Sequence, residues 1–222
     1  MKETGAVTAP RAGVYTLLAE ALAPPALTGG ALIRLTRGEW ARELSEAMTP
    51  LGCPFPVPAS LLRPSATPEA LAEEYLQAFS LPHGLGIWLV ESVYKPWTLD
   101  RSAELPFMSE AGWLGGDAAS HLRDMMGELG IELSPEIQAT PDHLSVELEI
   151  ISLLVEEADP DAQATFLAQH LDWLPLLMTR CDEAGLGGFY RALLVLTGEF
   201  IAWDRQLIDP AGNATSFQGY PG

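Results

Sequence analysis

Between residues 140 and 158 apolar side chains return at helical spacing: Leu144, Leu148, Ile151 and Val155 lie four, three and four apart. An α-helix turns once in about 3.6 residues, so these four side chains stack on one face and must be covered by another element. The same period runs through most of the chain. It confines the fold to helices that bury their stripes against one another.

Residues 11–22 place Val14, Leu17, Leu18, Ala21 and Leu22 on one face, and Pro24-Pro25 stop that helix. A second segment, about 31–48, carries Leu32, Leu35, Trp40, Leu44 and Met48. The prolines of a connector over about 49–68 exclude regular helix from most of it. Thr67-Pro68 read as an N-cap followed by proline at the first helical position, and the helix they open carries Leu71, Tyr75, Leu76 and Phe79. Residues 82–108 have no clear period. Their run IWLVESVY has no partner strand, so it reads as an ordered loop with one helical turn at most. A helix over 117–129 turns Leu122, Met125, Met126 and Leu129 inward and is capped by Gly130. The longest clear helix is expected from Thr140-Pro141 to Asp159-Pro160. Three more come after it, over about 161–171, 173–184 and 187–205, the last with Phe189, Leu193, Leu196, Phe200 and Trp203. The expectation is an all-α, single-domain globular bundle of about seven to nine helices over 1–208, with a frayed tail over 209–222.

Thirty acids against 12 Lys and Arg give a net charge of −18. Such a surface repels nucleic-acid phosphates and anionic lipid and attracts basic partners. No stretch approaches the ~20 apolar residues of a membrane span, and the first residues lack the apolar core of a secretory signal. A cytoplasmic protein with no stable membrane insertion is expected. Cys53 and Cys181 lie far apart and outside any CxxC pair, so both are expected as reduced thiols.

Little in the chain reads as reaction chemistry. GxSxG and GxxxxGK[ST] are both absent. His143 and Glu147, four apart, share a helix face, and a helical metal-dependent hydrolase would use them. HxxxE lacks the second histidine of HExxH, and a helix-start histidine bonded to nearby backbone explains it as well. His121 and His170 read as structural or surface residues, and His83 as part of a turn. Trp88, Tyr94 and Trp97 lie among Glu91, Lys95 and Asp100, either to anchor a partner peptide or to pack the loop onto the helices. Asp142 serves equally well as a cap of its own helix or as a recognition residue. A non-catalytic helical scaffold is a third reading.

Four stretches, in order, resemble the TorD/DmsD/NarJ family of redox-enzyme maturation chaperones. Glu74-Tyr75-Leu76-Gln77-Ala78-Phe79 is similar to the family's YxxLF helix, and Glu91-Ser92-Val93-Tyr94 to its ESVY loop. Pro141-Asp142-His143-Leu144 with Glu147-Leu148 is similar to its DHL…EL helix start. His170-Leu171-Asp172-Trp173-Leu174-Pro175 with Phe189-Tyr190 is similar to its HLxWLP…FY ending. Ala139 and Thr140 depart from a Glu-Pro that often precedes x-Asp-His in the family. The resemblance implies a non-enzymatic chaperone without a cofactor of its own, with a hinge near Asp142-His143. It implies binding of the precursor of a molybdopterin oxidoreductase catalytic subunit, at its twin-arginine signal peptide or N-terminus, until that subunit's cofactor is inserted. The contact residues it implies are Tyr75, Glu91, Tyr94, Trp97, Asp142, His143, Glu147, His170 and Trp173. It implies either a monomer or a domain-swapped homodimer.

Overall fold

The computed structural model describes residues 4–27, 30–62, 67–80, 84–100, 102, 106–135 and 137–208. The expected C-terminal tail and His83 lie outside the described residues. Among the described residues all regular structure is helical: α1 Thr4–Leu22, α2 Ala31–Thr36, α3 Glu39–Met48, α4 Ala59–Leu62, α5 Pro68–Phe79, α6 Gly116–Leu129, α7 Leu144–Glu157, α8 Pro160–His170, α9 Leu174–Glu183 and α10 Gly188–Ile208. Eight of these have ten residues or more, and α2 and α4 are short. Two 3-10 turns, Thr49–Leu51 and Glu91–Val93, complete the set.

The segment expected as one helix over 31–48 is two, because Gly38 takes φ +68° between α2 and α3. That left-handed backbone is costly for a side chain bearing Cβ. A Cβ at Gly38 would also stand 2.6 Å from the Leu62 carbonyl oxygen, so the break and the docking of α4 are one event. The helix expected to open at Thr140-Pro141 opens at Leu144 instead. Residues before it are held in turns, with Thr140 N donating to Ile137 O and His143 N to Thr140 O. At 14 residues α7 is shorter than α10, with 21, and α1, with 19. On α6 Leu122 and Met126 face inward as expected, but Leu129 is exposed; on α5 Leu76 is exposed and Ala78 takes the inward place.

The core is built on α1 and α7, which pack along each other, with α3 against α1 and α8 against α7. Small residues allow this approach: Ser152 Oγ donates to Ala12 O at 3.0 Å and lies 2.9 Å from Thr16 Oγ1. α10 closes the bundle against α4, α5, α8 and α9, and Tyr15 meets Phe200 edge-on at 5.1 Å. α7 is therefore buried beyond its predicted stripe. Val146, Glu147 and Ile150 are within the protein along with Leu144, Leu148, Ile151 and Val155.

A second buried cluster joins the ends of the chain. Arg11 of α1 donates to Asp204 of α10 through Nε at 2.7 Å and Nη2 at 3.0 Å, and Nη2 also reaches Gln163 Oε1 of α8 at 3.0 Å. Tyr15 Oη donates to Asp204 Oδ2 at 2.7 Å. Among the described residues no helix is long and apolar enough to cross a membrane.

Candidate functional site

The irregular segment after α5 docks on the start of α7. Val90 and His143 form an isolated antiparallel bridge, with Glu91 N donating to Asp142 O at 2.9 Å and Leu144 N to Leu89 O at 2.8 Å. The partner that the IWLVESVY run lacked in local sequence is thus a single extended residue some fifty positions on. Asp142 Oδ2 accepts from Ser92 N at 2.8 Å. It therefore caps the Glu91–Val93 turn rather than its own helix. The cap of α7 is His143, whose Nδ1 accepts from Ser145 N at 3.2 Å. A nitrogen that accepts there is unprotonated, so the ring proton is on Nε2, 3.4 Å from Tyr75 Oη. Burial pushes the imidazole down to about 4, which keeps it neutral at pH 7.

Three carboxyls sit together behind this junction. Glu91 is buried, a cost that alone raises its pKa, yet His170 and Lys95 hold it below the usual value. His170 Nδ1 donates to Glu91 Oε2 at 2.9 Å, and His170 Nε2 lies 2.7 Å from His121 Nδ1. Glu147 is fully buried. Burial, then the adjacent Glu91 and Asp142, push its pKa well up, against a bond from Trp173. These effects favour the protonated, neutral form of Glu147. Trp173 Nε1 is shared between Glu147 Oε2 at 3.1 Å and His170 O at 2.8 Å. Tyr94 stacks on the Trp173 ring at 5.1 Å between centroids, 21° from parallel.

The sequence-derived residues thus gather in one place. Glu91, Tyr94, Asp142, His143, Glu147, His170 and Trp173 form a continuous network, which Tyr75 joins through His143. Trp97 stands apart, edge-on to Phe107, which in turn packs on Trp113. Seven of the nine are buried, and Tyr94 and Trp97 are half-buried. Most of them consequently hold the loop to the helices rather than face solvent. The backbone at Trp97 is pinned to α6: Asp117 N donates to Trp97 O, and Gly116, at φ +76°, leaves no room there for a Cβ, which would lie 2.0 Å from that oxygen.

Where the network reaches the surface, an open cleft of about 510 Å³ lies between the loop, α6 and the end of α8. Its walls include Glu91, Lys95, Leu99, Asp117, His121 and Asp172. Three carboxylates face one lysine, and Leu99 leaves 79% of its surface exposed at the rim. Sequence reasoning passed over Lys95, Asp117 and Asp172 as a set. Only the Glu91–Lys95 spacing of four hinted at a pair. A larger hollow of about 600 Å³ lies beside the start of α10. There the Glu74 carboxylate already accepts from Tyr190 N at 3.2 Å, so the helix end is satisfied from within.

The His143–Glu147 pair is not a ligand face. His143 is committed to its cap and Tyr75, and Glu147 to Trp173, and among the described residues no three His, Cys, Asp or Glu side chains converge as a metal site. Cys53 and Cys181 are free thiols.

The sequence model of the nitrate reductase delta subunit family matches residues 37–179, more than half of the chain. The chain belongs to this family. The match takes in α3 through most of α9, and with them the whole buried network and the cleft. The chain is similar to the chaperone protein TorD of Vibrio cholerae serotype O1, at 30% identity over 125 residues, 50% of this chain and 57% of that protein. It is likewise similar to TorD of Psychrobacter sp., 28% identical over 113 residues (46% of this chain, 51% of that one), and of Photobacterium profundum, 28% over 120 (47% and 56%). The chain spans about half the length of the curated relatives it matches. Of the four motif stretches read in the sequence, all but Phe189-Tyr190 lie within the matched residues.

Proposed function

We propose that the protein is a cytoplasmic maturation chaperone that holds the precursor of a molybdopterin oxidoreductase catalytic subunit by its twin-arginine signal peptide or N-terminus until that subunit's cofactor is in place. The observation that carries this reading is the acidic cleft with an apolar rim, set on the motif network of a family whose similar members are named TorD chaperones. A twin-arginine peptide offers two guanidinium groups and then an apolar stretch. Carboxylates accept planar N–H pairs, and exposed Leu99 with the half-buried Trp97 and Tyr94 provides apolar surface for that stretch. Apolar burial supplies most of the affinity in such a contact, and charge supplies orientation and on-rate. In this scheme Glu91, His170 and Asp172 meet the peptide. Tyr75, Asp142, His143, Glu147 and Trp173 position them, because none of these five lines the cleft. The protein binds its client and transforms nothing.

Titration calorimetry with a twin-arginine signal peptide tests this. The peptide should bind with 1:1 stoichiometry. Replacing both arginines by Ala should weaken it at least about a hundredfold, since two charge-assisted contacts are lost at roughly 1.5–3 kcal/mol each. Equal affinity for both peptides would overturn the guanidinium reading.

A further inference from the structure

Among the described residues Lys95 is the only Lys or Arg on the walls of the cleft. Its ammonium has three protons, and each meets an oxygen: Glu91 Oε1 at 2.7 Å, Asp172 Oδ1 at 2.5 Å and the Gln169 carbonyl at 2.5 Å. Glu91 comes from the 3-10 turn, whereas Gln169 and Asp172 flank the end of α8, so one side chain bridges two elements. Behind Glu91 stands Glu147, fully buried, with the Glu91 carboxyl as its neighbour. Three oxygens from two elements thus converge on one point at the cleft wall, and a cation already fills it.

We propose that this oxygen cage is a guanidinium-binding subsite and that Lys95 is its internal stand-in, displaced when an arginine side chain of the client arrives. The proposal rests on the chaperone reading for the client's identity, and on the geometry alone for the chemistry of the site. Lys95 suits displacement. Its side chain is 23% exposed and Asp172 is 49% exposed, so the released ammonium has a direct way into water at the end of a flexible four-carbon stem. Arginine, rather than lysine, is the expected ligand. A client lysine would offer the same three donors that Lys95 already gives, whereas a planar guanidinium offers five in a fixed fork. It can span Glu91 and Asp172 together. Entry then exchanges one cation for another, so the net affinity is the difference of the two. The peptide is held with specificity and released without a large barrier.

The test uses the full chain and its Lys95→Met and Lys95→Arg variants. Each is titrated with L-argininamide and with L-citrullinamide, its uncharged isostere, and followed by NMR through the imidazole signal of His170, which bonds Glu91. If Lys95 occupies the cage most of the time, removing it restores the fraction of sites open to ligand. Argininamide should then bind Lys95→Met roughly fivefold tighter than wild type or more. Lys95→Arg should bind it more weakly than wild type, and citrullinamide should leave all three unshifted. Unchanged or weaker argininamide binding by Lys95→Met overturns the proposal. Should far-UV circular dichroism show that Lys95→Met does not fold, Lys95→Gln decides by the same comparison. The client reading fails on a different result, equal binding of the twin-arginine peptide and its Ala version, which leaves the argininamide comparison intact.

Discussion

Asp204→Ala should be among the most damaging single changes in this protein. Asp204 is fully buried and accepts three hydrogen bonds, two from Arg11 at 2.7 and 3.0 Å and one from Tyr15 at 2.7 Å. In the Ala variant the Arg11 guanidinium keeps only Gln163, and Tyr15 Oη loses its acceptor. Burial and the Asp204 charge hold the Tyr15 pKa well above its usual value, so the phenol stays a donor at neutral pH. An uncompensated buried charge together with an orphaned hydroxyl gives a loss of about 3–5 kcal/mol. Asp204→Asn keeps the shape and one acceptor oxygen and should lose less, about 1–3 kcal/mol. The double change Arg11→Met with Asp204→Leu removes both charges and fills the space. It should be more stable than Asp204→Ala alone, with a coupling of about 2 kcal/mol or more between the two sites. Urea unfolding followed by far-UV circular dichroism at pH 7 measures all of these, provided the m-values agree. A loss below about 1 kcal/mol for Asp204→Ala, or strict additivity of the two sites, would refute the view that a buried, coupled ion pair joins the chain ends. The cluster also bears on the site. Gln163 lies at the start of α8 and His170 at its end, so loosening it should raise amide exchange along α8.

Three further outcomes are expected. His143 takes up its proton near 6.5 when unfolded but only near 4 when folded, so the stability it contributes is complete above 6.5 and is lost as pH falls to about 4. That loss is roughly 3 kcal/mol, and His143→Gln should flatten the acid limb of the stability curve over this window; an unaltered limb speaks against a buried neutral imidazole. Glu147 shifts the opposite way: its folded pKa is raised, so its contribution is full below the ordinary carboxyl value of 4.5 and falls by about 1.4 kcal/mol per pH unit above that until the folded acid ionises. Glu147→Gln, whose side chain cannot ionise, should gain on wild type in urea midpoint as pH rises above 4.5; a constant difference would contradict a raised Glu147 pKa. Gly116→Ala forces a Cβ against Trp97 O at φ +76° and should cost more than about 2 kcal/mol, read as lost near-ultraviolet dichroism and faster proteolysis of the loop. Wild-type protection in that variant would mean the loop is not pinned at Gly116.

Much of the fold is local in origin, and so the sequence alone determines it. Most of the stripes at the helical period, Thr67-Pro68 at the start of α5 and Gly130 closing α6 act within a few residues of themselves and stand in the structure as read; Asp159-Pro160, read as the end of one helix, also opens the next, with Asp159 capping α8. The ordered motifs likewise placed the chain in its family and named most of the network, because those residue identities are written in the chain whatever they touch. What they do there was settled only by tertiary contact. Asp142 caps a turn fifty residues away, Val90 finds its bridge at His143, and Arg11 meets Asp204 across 193 positions. Gly38 breaks a helix because α4 packs against it, and Glu147 favours its neutral form because α7 is covered on more than one side. Burial and charge pairing depend on which surfaces meet. A helical period shows that a face must be covered, but the covering partner, and hence the protonation and exposure of each site residue, is fixed by the packing of the whole chain.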